Sequence, residues 1–273
     1  MVNDTVKEKE NERIYLDSSG RYGIPLNFAI KEFKIFDLLS QVVILMKEKD
    51  IDLVLKGGTA INKVYFDELQ RFSEDIDFDD FSEGSREERI KNLESLIKGI
   101  KGFKIGKARR YKKVIRFDCE CTTPSGQKDH VRLEFTLQER KFKPKKNIMG
   151  TARFLIANAT LAGIPTYSLE DLTARKLHAL FERKEGKDIY DIALVIDKIE
   201  KKKLLLSLKE VLRSEKKKIS SKKFIEKLIS DLKNVDSKKI RNITNPYIPL
   251  ANRPKEWKIL IDTLIDNLEK LVR

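Results

Sequence analysis

Apolar side chains at Phe33, Ile35, Phe36, Leu38, Leu39, Val42, Val43 and Leu45 recur at helical spacing, which predicts a helix capped by Asn27 and running to about Lys49. Residues 1–12 ahead of it are polar and read as a frayed terminus, followed by a turn between Gly20 and Pro25. Ile51 to Leu55 is a short run with β-branched residues, a buried strand that ends at Lys56. A Gly57-Gly58-Thr59 turn, a helix from Ala60 to about Phe66 and a strand through Phe78 come next. Glu87 to Lys101 has the period of another amphipathic helix.

The period then becomes two. Ile115, Phe117, Cys119 and Cys121 oppose Arg116, Asp118 and Glu120, and further on Val131, Leu133, Phe135 and Leu137 oppose Arg132, Glu134 and Thr136. This predicts a hairpin of Lys112–Thr122 and Val131–Gln138 about a Pro124-Ser125-Gly126 turn, with Glu134 on its polar face. Ala152 to Ile156 reads as one more short strand. From Ser168 the pattern is helical: Ser168 is a good N-cap with Glu170 and Asp171 in the first turn, and the helix runs to about Arg183. After a break near Gly186 it resumes from Asp188 to Asp197, and lysine-studded helices follow at Lys202–Leu212 and Lys222–Leu232. A loop with Pro246, Pro249 and Pro254 leads to a last helix with Trp257, Leu260, Ile261, Leu264, Ile265 and Leu268 on one face. The layout is a mixed α/β half, residues 1–160, and a helical half, residues 161–273.

Charge separates the halves too. The net charge is +14, yet residues 1–100 hold 15 Lys and Arg against 21 Asp and Glu, net −6, leaving the remainder at net +20. An acidic front suits cations and a basic back suits a polyanion. The longest apolar runs, such as Val42 to Met46, are too short to span a bilayer, and the polar start carries no signal-peptide pattern, so a cytoplasmic protein without membrane contact is expected. Cys119 and Cys121, two apart on a strand, suit neither a disulfide nor a zinc site and read as buried small hydrophobes. His130 opens a strand and has no metal-ligand partner at useful spacing, and His178, on a different helix face from Lys176, reads as a partly exposed or satisfied histidine.

The candidate chemistry lies between Leu55 and Asp80. A glycine pair before a helix can present bare N–H groups to a phosphate. Asp75 and Asp77, two apart on a strand, point the same way and stay charged comfortably only with a cation between them. Two-metal phosphoryl-transfer sites add a third carboxylate from a neighbouring strand, a place Glu134 fits, with Asp118 or Glu120 as alternatives. Phosphate cradle and metal pair together point to phosphoryl or nucleotidyl transfer.

The stretch LKGGTAINKVYF…RFSEDIDF resembles the first motif of the polymerase-β superfamily of nucleotidyltransferases, and more narrowly that of the AbiEii-type abortive-infection toxins, a glycine pair with Ser or Thr followed by R-x-S-x-D-h-D. Arg71, Ser73, Asp75 and Asp77 match it. LEDLTARKLHALFERKEGKDIYDIALV is similar to the family's helix with an essential lysine and the R-D-h-h-D element that follows, with Lys176, Arg183, Asp188 and Asp191 at the matching places. Lys187 stands where the family usually has arginine, keeping the charge but losing bidentate geometry. The resemblance implies a polymerase-β-type core with a mixed sheet followed by a helical domain. It implies a catalytic set of Asp75, Asp77, Glu134, Lys176, Asp188 and Asp191, the first three holding Mg2+ (or Mn2+), with an NTP bound by Lys56, Gly57, Gly58, Thr59, Arg71, Ser73 and Arg183. It further implies NMP transfer to an RNA acceptor, in particular a tRNA 3′ end, by the toxin of a toxin–antitoxin or phage-defence system with a cognate antitoxin. Transfer to a protein or small molecule, or NTP and RNA binding without turnover, are the rival readings.

Overall fold

In the computed structural model, which describes residues 2–123, 126–143 and 148–273 with side chains from residue 12 onward, the chain forms two compact units. One comprises Met1–Thr166 with Pro249–Ala251, the other Tyr167–Ile248 with Asn252–Arg273. The expected hairpin turn falls partly outside the described residues, at Pro124 and Ser125.

The first unit opens on a helix, α1 (Val2–Tyr22), where a frayed end was expected. Its polar composition hides one anchoring contact: Tyr15 is buried edge-on against Phe33, with ring centroids 4.8 Å apart. Helix α2 (Leu26–Glu48) starts directly after Pro25, whose fixed φ suits a helix entry, so Asn27 lies inside the helix rather than capping it. Strand β1 (Leu53–Lys56) runs into α3 (Gly57–Val64), and β2 (Asp75–Asp80) follows. Helix α4 (Arg86–Ile97) is opened by a capping box in which Ser85 and Glu88 satisfy each other's backbone N–H. It ends before the expected Lys101, at the glycine-bearing turn that follows. Two-residue strands β3 (Lys104–Ile105) and β4 (Arg109–Arg110) precede the hairpin β5 (Val114–Thr122) and β6 (Lys128–Leu137), and a second hairpin is made by β7 (Ile148–Phe154) and β8 (Ala159–Thr166). Only the first arm of that second hairpin has a strand signal in the sequence.

These strands form one mixed sheet in the order β3-β5-β6-β2-β1-β8-β7, with β4 also on β5. Strand β2 is antiparallel to β1 and parallel to β6, so it is central and paired on both edges. Its alternation sends Ile76 and Phe78 into the core, where Phe78 stacks on Phe135 at 5.9 Å beneath α2. The same alternation turns Asp75, Asp77 and Asp79 to the opposite face.

The second unit is helical: α5 (Leu169–Arg183), α6 (Gly186–Val195), α7 (Lys201–Ser214), α8 (Ser221–Lys233), α9 (Ser237–Thr244) and α10 (Trp257–Val272). Their apolar faces build one core around Leu177, Ile192, Leu208, Leu228 and Leu264. The Ser168 side chain caps α5 by accepting from the Asp171 N–H. Gly186 opens α6 because a Cβ there would collide with Ile240 and Thr244 of α9, an eight-residue helix with too few apolar positions to declare itself in the sequence. Among the described residues no helix is long and apolar enough to cross a membrane.

Candidate active site

Cross-strand register brings the sheet carboxylates together. Asp77 of β2 lies opposite Glu134 of β6 in the parallel pair, and Asp75 opposite Arg132. In the antiparallel hairpin Glu134 lies opposite Arg116, and Arg132 opposite Asp118. Residues directly across a sheet share a face, so one face carries the row Asp77–Glu134–Arg116 beside the row Asp75–Arg132–Asp118 over β2, β6 and β5. The contacts follow: Arg132 Nη2 is 3.4 Å from Asp75 Oδ2, and Arg116 Nε is 3.9 Å from Glu134 Oε1. Asp118 is gripped harder, 2.9 Å from Arg116 and 2.8 Å from Arg109. Glu120 sits further along β5, opposite His130 and exposed. Asp75 and Glu134 keep 37% and 30% of their side-chain surface in solvent, so both are accessible donors.

The glycine turn meets this face. Gly57 has φ +77°, a left-handed conformation that side chains resist, and a Cβ there would run into the Asp77 carboxylate. The backbone of the turn therefore approaches the acid as closely as any residue could. Gly58 is buried as the second residue of α3, whose start has no side-chain cap. Thr59 is buried and its hydroxyl donates to the Asp75 carbonyl at 2.7 Å, which ties α3 to β2. Lys56 lies opposite Asp77 but reaches past it: its ammonium donates to Asp79 Oδ1 at 2.6 Å and to Thr136 Oγ1 at 2.7 Å. Arg71 is buried and donates to the Phe72 carbonyl at 2.8 Å. Ser73 is buried, and its hydroxyl has no hydrogen-bond partner among the described residues.

Several of these groups carry no motif in the sequence. Arg116 and Arg132 read there only as the polar side of two strands, although their like-facing alternation with Glu134 and Asp118 is visible. Asp79 and Asp80 are fully buried acids, the former held by Lys56 and by Gln138 at 3.3 Å, the latter by Arg89 at 3.0 Å and by the Ser82 N–H at 2.8 Å. They anchor β2 from its far end.

In the helical unit the second motif forms a closed ion cluster. Lys176 Nζ lies 2.7 Å from Asp188 Oδ1 and 3.0 Å from Asp191 Oδ2, both acids fully buried. Arg183 adds two bonds to Asp188, from Nε at 2.7 Å and Nη2 at 2.9 Å. Burial alone would raise the Asp188 pKa, but Lys176 and Arg183 outweigh it and hold the carboxyl below its usual range. Lys187 lies over the Tyr247 ring, 4.6 Å from its centroid. His178, on the same helix as Lys176, stacks on Phe224, and burial lowers its pKa so that it is neutral at pH 7. Cys119 and Cys121 in the sheet are free and buried, with the Cys119 thiol pushed up by burial to about 12.

A mixed sheet with a glycine turn entering a helix beside paired aspartates on a central strand has the build of a nucleotidyltransferase. The chain belongs to a family of such enzymes: the model for the nucleotidyl transferase AbiEii toxin of type IV toxin–antitoxin systems matches residues 38–270. The fold is similar to that of MenT4, a nucleotidyltransferase toxin from Mycobacterium tuberculosis H37Rv, with a TM-score of 0.56 and 14% identity over 96% of this chain and 89% of that one. It is also similar to JHP933 from Helicobacter pylori, with a TM-score of 0.53 and 19% identity over 88% of this chain and 91% of that one. No curated protein sequence matches significantly. The protein is thus a nucleotidyltransferase of a toxin family that uses an NTP, and membership implies an antitoxin partner.

Proposed function

We propose that the chain transfers NMP from an NTP to the 3′ end of an RNA, foremost tRNA, as a cytoplasmic toxin of a toxin–antitoxin or phage-defence pair, with Mg2+ or Mn2+ as cofactor. The observation that carries this reading is the run of Asp75, Asp77 and Glu134 on one solvent-accessible sheet face beside the Gly57 turn. Among the described residues no three metal-binding side chains already converge as a cage. The donors nevertheless fit a hard divalent cation, since all are carboxylate oxygens, and the Gly57 backbone, lacking a Cβ, comes directly against the Asp77 carboxylate. Asp75, Asp77 and Glu134 are the residues to hold it. When bound there, the cation would neutralise triphosphate charge and the charge that develops as pyrophosphate departs.

The chain's own groups then have definable tasks. Backbone N–H groups at the start of α3 face the phosphates, favoured by the helix dipole. Arg132 and Arg116 balance the carboxylates until substrate arrives and remain beside them as cations. The acceptor hydroxyl attacks the α-phosphorus, its proton passes to a carboxylate of the row, and the bond to the β-phosphate breaks to release pyrophosphate. In the helical unit, Lys176, with Asp188 and Asp191 orienting its ammonium, is a further catalytic group on the family motif, and Arg183 a nucleotide-binding one. The net +20 of residues 101–273 supports a polyanionic acceptor.

Incubation with Mg2+, labelled NTPs and total tRNA tests the proposal. Label should appear on tRNA with wild type and vanish with Asp77→Ala. Unlabelled RNA with wild type, or undiminished label with the variant, overturns it. Activity insensitive to salt would favour a small-molecule acceptor, because RNA engagement weakens steeply with salt.

A further inference from the structure

We propose that the acceptor strand reaches the carboxylates across the open edge of the sheet, with its backbone phosphates held by Arg109 and Arg116. The inference rests on the reading of the acceptor as RNA and adds where that RNA lies. Its basis is one register row. Arg109 of β4 lies opposite Arg116 of β5, Arg116 opposite Glu134 of β6, and Glu134 opposite Asp77 of β2. All four share a face, as the Arg109–Asp118 ion pair on that face also shows. At about 4.8 Å per strand the row covers about 14 Å from the edge to Asp77. Asp118 is in close contact with both guanidiniums and Glu134 lies further off, 3.9 Å from Arg116, so the outer half of the row has two cations to one closely paired carboxylate.

The segment that builds this edge has matching chemistry. Residues 98–113 contain eight Lys and Arg and no Asp or Glu. Lys104, Lys107 and Lys112 are exposed and take part in none of the ion pairs among the described residues. Tyr111, 51% exposed, offers a ring on which a base can stack. Charged residues also blunt sheet edges against self-association, but that task needs cations facing solvent at the edge. It gives no reason for a guanidinium row running inward to the acids. The negative field of Glu87 and Glu94 falls on Arg110, which points to the α4 side and is not part of the path.

The test compares wild type with Arg109→Glu/Lys112→Glu, both exposed residues whose replacement leaves the fold intact, as a thermal melt checks. Binding of labelled total tRNA is measured by filter retention over a KCl series, and transfer kinetics are measured with tRNA and NTP varied separately. The expected result is a tRNA KM raised about tenfold or more and a salt slope shallower by about two, with a far smaller change in NTP KM. Arg109→Lys, which keeps the charge, should recover most of the affinity. A tRNA KM and salt slope equal to wild type, or an NTP KM that rises in parallel, overturns the proposal while leaving the RNA acceptor standing. Wild type that neither binds nor labels tRNA removes the acceptor reading and this path with it.

Discussion

The two acid clusters of this protein are built on opposite principles. On the sheet, Asp75 and Glu134 are about one-third exposed and meet their arginines at 3.4 and 3.9 Å. In the helical unit, Asp188 and Asp191 have no exposure and meet Lys176 at 2.7 and 3.0 Å. A buried carboxylate must be paired tightly because nothing else solvates it. A carboxylate at a water-filled face can be paired loosely, and a loosely held one can exchange its arginine for a cation. The difference separates acids whose loose pairing leaves them open to a ligand from acids whose charge is already satisfied inside the protein.

The widest separation should come from Asp77→Ala. Loss of a carboxylate proposed to hold the cation is expected to lower NMP transfer by about a thousandfold or more. Its removal relieves repulsion on the face, so the melting temperature should stay within a couple of degrees or rise. A large drop in melting temperature would erase the contrast, making the sheet acids structural too. Next is Lys176→Met, which leaves Asp188 and Asp191 buried without their ammonium and should destabilise the protein by about 3–5 kcal/mol in urea unfolding. Asp191→Asn in that background removes a buried charge that Lys176 no longer offsets and should restore part of the loss. A single variant costing less than about 1 kcal/mol would mean the helical cluster is as loosely held as the sheet one.

How much of this contrast could be read from the sequence follows from the range of the signals involved. Period-two alternation shows that Asp75 and Asp77 share a face, as do Arg116 and Asp118, because that is a property of a single strand. The capping of α5 by Ser168 and the apolar face of α10 are likewise local and legible. Pairing β2 with β6 in parallel is not, since it joins residues more than fifty positions apart, and the register of Arg132 and Glu134 against Asp75 and Asp77 depends on it. Helix α1 was hidden for a related reason: its polar sequence is held by tertiary contacts such as Tyr15 on Phe33. The closed Lys176 cluster joins two helices across a break at Gly186, whose need for glycine comes from the close approach of α9 rather than from its own backbone.

A smaller effect probes how the turn and the acid share space. Gly57→Ala places a Cβ against Asp77 and asks a side chain to adopt φ +77°, a strain of about 1–2 kcal/mol. Part should appear as lost stability, and part as a fall in activity of about tenfold as the Asp77 carboxylate is pushed aside. The corresponding change at Gly186, also to alanine, should lower stability alone with per-molecule activity preserved in the folded fraction. Equal stability losses with no activity change at Gly57 would show that the turn does not bear on the acid.

The smallest effect tests burial in the helical unit through pH. His178 stacks on Phe224, its Nε2 has no hydrogen-bond partner among the described residues, and burial lowers its pKa against the opposing pull of Glu215 and Glu182, while Lys217 and Arg175 reinforce the lowering. The folded pKa therefore lies below the unfolded value of about 6.5. Above that pH both states are neutral and the contribution is fully present. As pH falls through the unfolded value, the unfolded chain takes up the proton first, and stability declines until the depressed folded value is reached. Urea midpoints at pH 7.5 and pH 5.5 should show the decline in wild type and a weaker one in His178→Phe, which keeps the ring stack and removes the titrating group. Identical pH dependence in the two proteins would place the histidine in water and the tight packing of this unit elsewhere.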